Sequence, residues 1–328
     1  MMSHTIHGQR HRGTSVLAVL AVAFGVGGCQ TETPSGEAPR VGEPAAATEV
    51  LPDSGRVFER SVVFVGTGSD SVFVVPWLWT VRTGRPEVER RARGWLLRGA
   101  VWDPFFDESW ATPPFRAPWR PVPHGPLRLM VGPGGALQQI SHISTGRSLD
   151  VTLESSLAEW TGRRGETFRF LEGGLVLAER RVPGMVLDLN RTRDVNEGAG
   201  GDWMVLASGD SVMAVIHTPL RAGNLGRGAW RGWARVDFRD LPLGQITTEW
   251  AAVRAFDRAR RDVPVGWTLH SPDDGFGGTL EARSSQLVAE EGEGPFLPVD
   301  ALFEVAGTLT LEGVEYPVHG ILRHTQGT

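Results

Sequence analysis

Carboxylates set among indole rings are the first residues of this sequence that could do chemistry. Asp103, Asp107 and Glu108 lie in the stretch WDPFFDESWATPPFRAPWRPVP, beside Trp102, Trp110 and Trp119. Burial against aromatic rings disfavours the ionised carboxylate and raises its pKa, and an acid so raised could protonate an alkene or a glycosidic oxygen. Asp103, Asp202 and Asp237 are the acids that could act this way inside a barrel; the alternative is that they are solvated turn residues. Trp77 and Trp79 stand two apart in SVFVVPWLW, which reads as a strand, so they share a face. They either line a ligand cavity or pack a core. Trp102, Trp110 and Trp119 fall in what reads as an irregular proline-rich segment. Aromatics on such a loop stack on sugars, cover an apolar pocket or hold the loop down. His217 lies in SVMAVIH, at the repeat position matching Trp77. Two rings at one place in both repeats would line a cavity, or His217 is a satisfied core histidine. The apolar-ligand candidates are therefore Trp77, Trp79, Trp102, Trp110 and His217.

Other chemistries are excluded by what is missing. The chain has 33 basic residues and all are arginine, which removes Schiff-base and P-loop lysines. One cysteine, Cys29, rules out an intrachain disulfide and any multi-cysteine metal centre. Outside residues 1–13 the histidines are His124, His142, His217, His270, His319 and His324, with no His-x-x-x-His pair, so no metal site is expected. No G-x-S-x-G elbow, dinucleotide fingerprint or H-E-x-x-H helix is present, and no cofactor is expected. The net charge of −5 carries no basic footprint for nucleic acid.

The N-terminal residues read as an address. Residues 1–13 are basic, and TSVLAVLAVAFGVGG (14–28) is apolar but shorter than the roughly 20 residues a membrane-spanning helix needs. Val26-Gly27-Gly28-Cys29 resembles a bacterial lipobox, which implies cleavage after residue 28 and acylation of Cys29. The expected location is the cell envelope, membrane-anchored, with Gln30 favouring the outer membrane facing the periplasm. Residues 29–55 are rich in Pro, Glu, Ala and Gly and poor in large apolar residues, so they read as a flexible tether.

The rest looks like one unit written twice. Ser69-Asp70-Ser71-Val72 recurs as Gly209-Asp210-Ser211-Val212, Arg82-Thr83-Gly84 as Arg221-Ala222-Gly223, and Arg93-Gly94-Trp95 as Arg231-Gly232-Trp233. Val122-Pro123-x-Gly125 matches Val263-Pro264-x-Gly266, and Gly134-Gly135-x-Leu137 matches Gly277-Gly278-x-Leu280. Gly174, Glu179 and Pro183 are echoed by Gly307, Glu312 and Pro317. Short β-branched and aromatic runs between 42 glycines and 22 prolines leave little room for long helices. Thr247–Arg260 fits either a helix or a strand, and Phe303–Leu322 reads as a hairpin turning at Glu312-Gly313. The expectation is an all-β protein of two barrels, residues 56–195 and 196–328.

The second half carries a fuller pattern. Asp202-Trp203, Gly209-Asp210-Ser211-Val212-Met213, Pro264-x-x-Trp267-x-Leu269, Phe303-Glu304-Val305-x-Gly307 and Tyr316-Pro317-Val318-x-Gly320 follow in order. This resembles the lipocalin-like tandem barrels of the AttH and carotenoid 1,2-hydratase (hydroxyneurosporene synthase) type. The resemblance implies two packed calycin-like barrels that bind or transform apolar molecules. The N-terminal tryptophan-rich hallmark is only echoed by Val75-Pro76-Trp77-Leu78-Trp79, and Ile321-Leu322-Arg323-His324 lacks the closing acid, so no catalytic residue carries over. Three functions follow as expectations: a lipid-anchored binder of a hydrophobic small molecule or lipid; a hydratase or cyclase acting on a polyene or isoprenoid through a buried acid; or a carbohydrate-binding or surface-assembly lipoprotein using exposed tryptophan.

Overall fold

A computed structural model describes residues 55–327, except 68–72, 85, 115–116, 162–165, 196–200, 210, 219–229, 272–274 and 293. The signal segment, Cys29 and almost all of the tether lie outside the described residues. Nine strands form the first sheet: β1 Arg56–Gly66, β2 Phe73–Arg82, β3 Val88–Arg98, β4 Val101–Thr112, β5 Leu127–Val131, β6 Leu137–Ser144, β7 Arg147–Thr161, β8 Thr167–Leu177 and β9 Arg180–Asp194. Eight form the second: β10 Trp203–Ser208, β11 Val212–His217, β12 Trp230–Val236, β13 Arg239–Phe256, β14 Arg261–Ser271, β15 Phe276–Ala289, β16 Val299–Leu311 and β17 Val314–Gln326. Thr247–Phe256, open to two readings in the sequence, is strand.

Both sheets are antiparallel meanders in which the first strand pairs with the last. β10 bonds to β11 and β17, as β1 bonds to β2 and β9. The second sheet is a closed barrel, whereas the first runs β4-β3-β2-β1-β9-β8-β7-β6-β5 and stays open between β4 and β5. The cause is local. β13 is one continuous strand whose first half pairs with β12 and whose second half pairs with β14, so it seals the barrel. Its counterpart in the first sheet is split into β4 and β5, with six prolines between Thr112 and Leu127. Proline lacks the amide hydrogen a ladder needs. The broken segment folds back instead. The buried Arg90 on β3 donates to the carbonyl oxygens of Pro118 and Arg120 and to Thr112 Oγ1, each at 3.0 Å.

Three apolar clusters follow from the two-residue period of the strands. Met204, Leu206, Ile216, Trp267, Leu280, Phe303 and their neighbours fill the second barrel. Val62, Phe64, Val75, Trp77, Trp79, Leu149 and Leu171 line the concave face of the first sheet. Val63, Val65, Leu78, Trp95, Phe170 and Leu187 pack against Trp203, Val205, Val215, Trp233 and Ile321, so the sheets meet face to face within one compact unit. β1 and β2 are buried on both faces, which is why their sequences are nearly continuous apolar runs.

The repeated Arg-Gly-Trp has a steric reason. A Cβ on Gly94 would stand 2.8 Å from the Trp77 ring and 2.9 Å from Phe105, and one on Gly232 would strike the carbonyl oxygen of Val215. Trp95 and Trp233 both face the contact between sheets. The turns holding Glu179 and Glu312 are equivalent, but Glu179 is the second residue of its turn, at φ 68°, and Glu312 the first, at φ 51°. Two sequence matches do not hold. Val122–Gly125 precedes β5 while Val263–Gly266 lies in β14, the counterpart of β6. Gly134-Gly135 forms a single 3-10 turn ahead of β6, while Gly277-Gly278 lies in β15, the counterpart of β7. The split of β4 from β5 shifts the register of the comparison there.

Candidate functional site

The open first sheet leaves a cleft of about 490 Å³ against its concave face. Inward residues of β1, β2, β8 and β9 build it: Phe58 and Arg60, Trp79 and Val81, Arg169, and Asp188 with Asn190. Trp119, on the proline-rich segment, stands over the opening with its ring 5.8 Å from Phe58 and half its surface exposed (51%). Trp79 stacks on Trp77 at 5.6 Å and 16°, and the row continues through Phe105, 4.8 Å from Trp77, to His142, 5.0 Å from Phe105. The shared face expected for Trp77 and Trp79 is the concave one.

The base of the cleft is charged. Arg169 sits directly across the β8–β9 ladder from Asp188, and Arg60 lies diagonally across from it on β1. Asp188 is completely buried. Arg60 grips it through two bonds of 2.8 Å, and Arg169 Nη2 donates at 2.6 Å. Burial pushes the Asp188 carboxyl up, but Arg60 and then Arg169 outweigh it and hold it below its ordinary range. This acid stays ionised. The indole N–H of Trp79, which lines the cleft, is buried with no protein partner among the described residues, as are those of Trp77 and Trp110 and the Nδ1 of His142 beyond the cleft lining. Burial, with Arg147 nearby, lowers the His142 pKa and keeps that ring neutral at neutral pH.

A second cleft, of about 810 Å³, lies at one end of the contact between sheets. Its walls are ionic. Arg323 forks onto Asp300 at 2.9 and 3.0 Å, and Arg93 bonds both Asp300 and, at 3.0 Å, Glu290. Glu59 takes Arg193 at 3.2 Å and Arg191 at 3.5 Å. Burial raises the Glu59 carboxyl, yet Arg191, Arg323 and Arg193 together bring it below the usual value.

The remaining sequence candidates scatter. Trp102 and Trp110 belong to strand β4 rather than to a loop. Trp102 Nε1 donates to Ser284 Oγ across the sheets at 3.0 Å, and Trp110 stacks on His124 at 4.5 Å. His217 does not share the face of Trp77. Odd residues of β2 point into the first sheet, whereas even residues of β11 point into the barrel, so an offset of 140 reverses the face. His217 lies instead at the contact between sheets, 4.0 Å from the Phe168 ring, its pKa pushed down to about 4 by burial. Asp103 pairs with Arg147 at 2.8 Å, partly exposed, and Asp237 is an exposed turn residue at φ 53°. Neither is a buried acid. Asp202 accepts from His324 Nδ1 at 2.6 Å and from the Thr325 amide at 2.8 Å. Arg60, Arg169 and Asp188 gave no signal in the sequence, being up to 128 residues apart. Cys29 lies outside the described residues.

No protein-family model matches the sequence, and no curated protein is similar to it. Solved structures share the fold. A candidate AttH from Nitrosomonas europaea superposes with a TM-score of 0.56 at 10% identity, over 87% of this chain and 98% of that one. CghA gives 0.50 at 12% identity, over 81% and 87%. Kievitone hydratase from Nectria haematococca gives 0.47 at 14%, over 84% and 90%. The two-sheet all-β architecture is thus that of AttH-type structures.

His324 supplies a test of the electrostatics. Burial lowers its pKa, but Asp202, with Gln326 and Asp300, outweighs burial and raises it above 6.5. The imidazolium then contributes stability that is complete below about pH 6.5, the unfolded value, and is lost as pH rises through the higher folded value. The melting temperature should fall more steeply above pH 6.5 in the native chain than in His324→Gln. Parallel curves would show that the pair contributes nothing.

Proposed function

We propose that the protein binds a hydrophobic small molecule or lipid in the cleft of the first sheet. The observation that carries this is the lining: the first sheet, held open at β4 and β5, presents a concave wall of Trp79, Phe58 and Trp119 to a cleft of about 490 Å³, while the cleft of about 670 Å³ along β13–β15 is walled by Trp267, Leu280 and small or charged residues such as Ala252, Arg254 and Ser284. A concave site with an apolar wall and a few fixed polar groups is what a small apolar ligand requires. The buried, unpartnered indole N–H of Trp79 favours a ligand that brings a hydrogen-bond acceptor, because such a group left unmet costs about 1–3 kcal/mol.

Two rival readings fare less well against the same geometry. Hydration or cyclisation of a polyene begins with a neutral buried acid, and Asp188 is held ionised by its two arginines. A carbohydrate shelf needs neighbouring exposed indoles. Trp119 and Trp250 are the most exposed tryptophans of the described residues, and they stand apart, one on the segment between β4 and β5 and the other on β13 of the second sheet. In keeping with this reading, the lipobox-like Val26–Cys29 would place the protein at the cell envelope, anchored through acylated Cys29 near the bilayer that supplies its ligand.

Retinol and a fatty-acid panel titrated into the protein should quench tryptophan fluorescence saturably at one ligand per chain. Trp79→Leu should weaken binding about tenfold without changing the far-ultraviolet ellipticity. Absence of a saturable response to every apolar probe sinks the reading. For the anchor, a labelled palmitate should be incorporated into the native chain and not into Cys29→Ser; equal labelling of both would refute acylation at Cys29.

A further inference from the structure

The charge of the cleft says what its ligand carries. Three guanidiniums, Arg60, Arg169 and Arg191, line it against two carboxylates, Glu59 and Asp188. Glu59 and Arg191 lie on the opposite face of their strands, where Glu59 pairs with Arg191 at 3.5 Å and with Arg193 at 3.2 Å, so they drop out of the count. That leaves Asp188 facing both Arg60 and Arg169, one positive charge in excess. The Asp188 oxygens are already taken: Oδ1 accepts from Arg60 Nε and, at 3.4 Å, from Asn190, while Oδ2 accepts from Arg60 Nη2 and Arg169 Nη2. Asp188 therefore cannot take more from Arg169. A guanidinium presents five donors in a planar fork. Arg169 commits one nitrogen to Asp188, and its side chain, 24% exposed, is the more open of the two arginines. Its unused edge and the surplus charge both belong to the cleft, which Phe58, Trp79 and Trp119 wall with rings.

Resting on the reading of the cleft as a ligand site, we propose that its ligand is an amphipathic carboxylate, such as a fatty or polyene acid. The apolar body lies along the rings and the carboxylate accepts from Arg169. A single carboxylate matches the single surplus charge; a phosphate dianion would overshoot it in a partly enclosed site. A fully neutral ligand would leave the guanidinium edge desolvated without a partner, which is costly.

The test compares cis-parinaric acid with its methyl ester, followed by energy transfer from tryptophan in the full chain. The acid should bind about tenfold more tightly than the ester, the worth of one charge-assisted contact. Arg169→Gln should weaken the acid about tenfold more than the ester, bringing the two to similar affinity. Equal binding of acid and ester by the native protein, or equal weakening of both by Arg169→Gln, overturns the proposal while the ligand site stands. Failure of both probes to bind overturns the ligand site and the proposal together. Should Arg169→Gln not fold, as circular dichroism would show, the acid-to-ester ratio of the native chain decides alone.

Discussion

A sheet closes into a barrel only when every strand has a bonded neighbour on each side, and the fate of one strand separates the halves of this protein. β13 runs unbroken for 18 residues and bonds to β12 and then to β14. In the first half the same role falls to β4 and β5, and the six prolines between them have no amide hydrogens to offer a ladder. Everything of interest in the first half follows from that gap. The interior is not sealed, the proline-rich segment is tied by Arg90 over the rim, and Trp119 is placed against the cleft.

The open sheet needs support from outside its own core, and the second barrel provides it. The convex face of β1–β3 and β8–β9 packs against β10–β12, β16 and β17 through Trp95, Phe170, Trp203 and Trp233. Burial of this kind contributes roughly 1.5–3 kcal/mol per large apolar side chain. At one end the contact turns ionic, with Arg93 reaching from the first sheet to Asp300 and Glu290 of the second. Buried pairs of this sort are weak sources of net stability, but losing one partner is expensive because the other is left uncompensated, by about 3–5 kcal/mol. They fix how the sheets sit more than they strengthen the contact. The same rule applies inside the cleft, where Asp188 holds two arginines at the base of an aromatic wall.

Much of this was legible in residue types and short spacings. The i, i+2 placement of Trp77 and Trp79 revealed their common face, and the Glu312-Gly313 turn marked the last hairpin. The Arg-Gly-Trp repeat flagged positions where two strands approach too closely for a Cβ. What failed was anything depending on face or on distant pairing. His217 matched Trp77 in position but not in face, because a one-residue change of phase turns a strand over. The irregular look of residues 102–123 hid a real strand, β4, because its polar outer face and Pro104 obscure the alternation. Arg60, Arg169 and Asp188 are ordinary surface-type residues one by one. Only the β1–β9–β8 pairing makes them a group, and that pairing is written in no local pattern.

The central claim is that an apolar ligand sits on the concave face of the first sheet and not in the second barrel. Photo-crosslinking with a fatty acid carrying a diazirine in its tail, followed by mass-spectrometric mapping of labelled peptides, tests this most directly. The account predicts adducts on peptides that contain Phe58, Trp79 and Trp119, suppressed by excess unlabelled acid. Competable adducts concentrated on β13–β16, with the first sheet unlabelled, would contradict it.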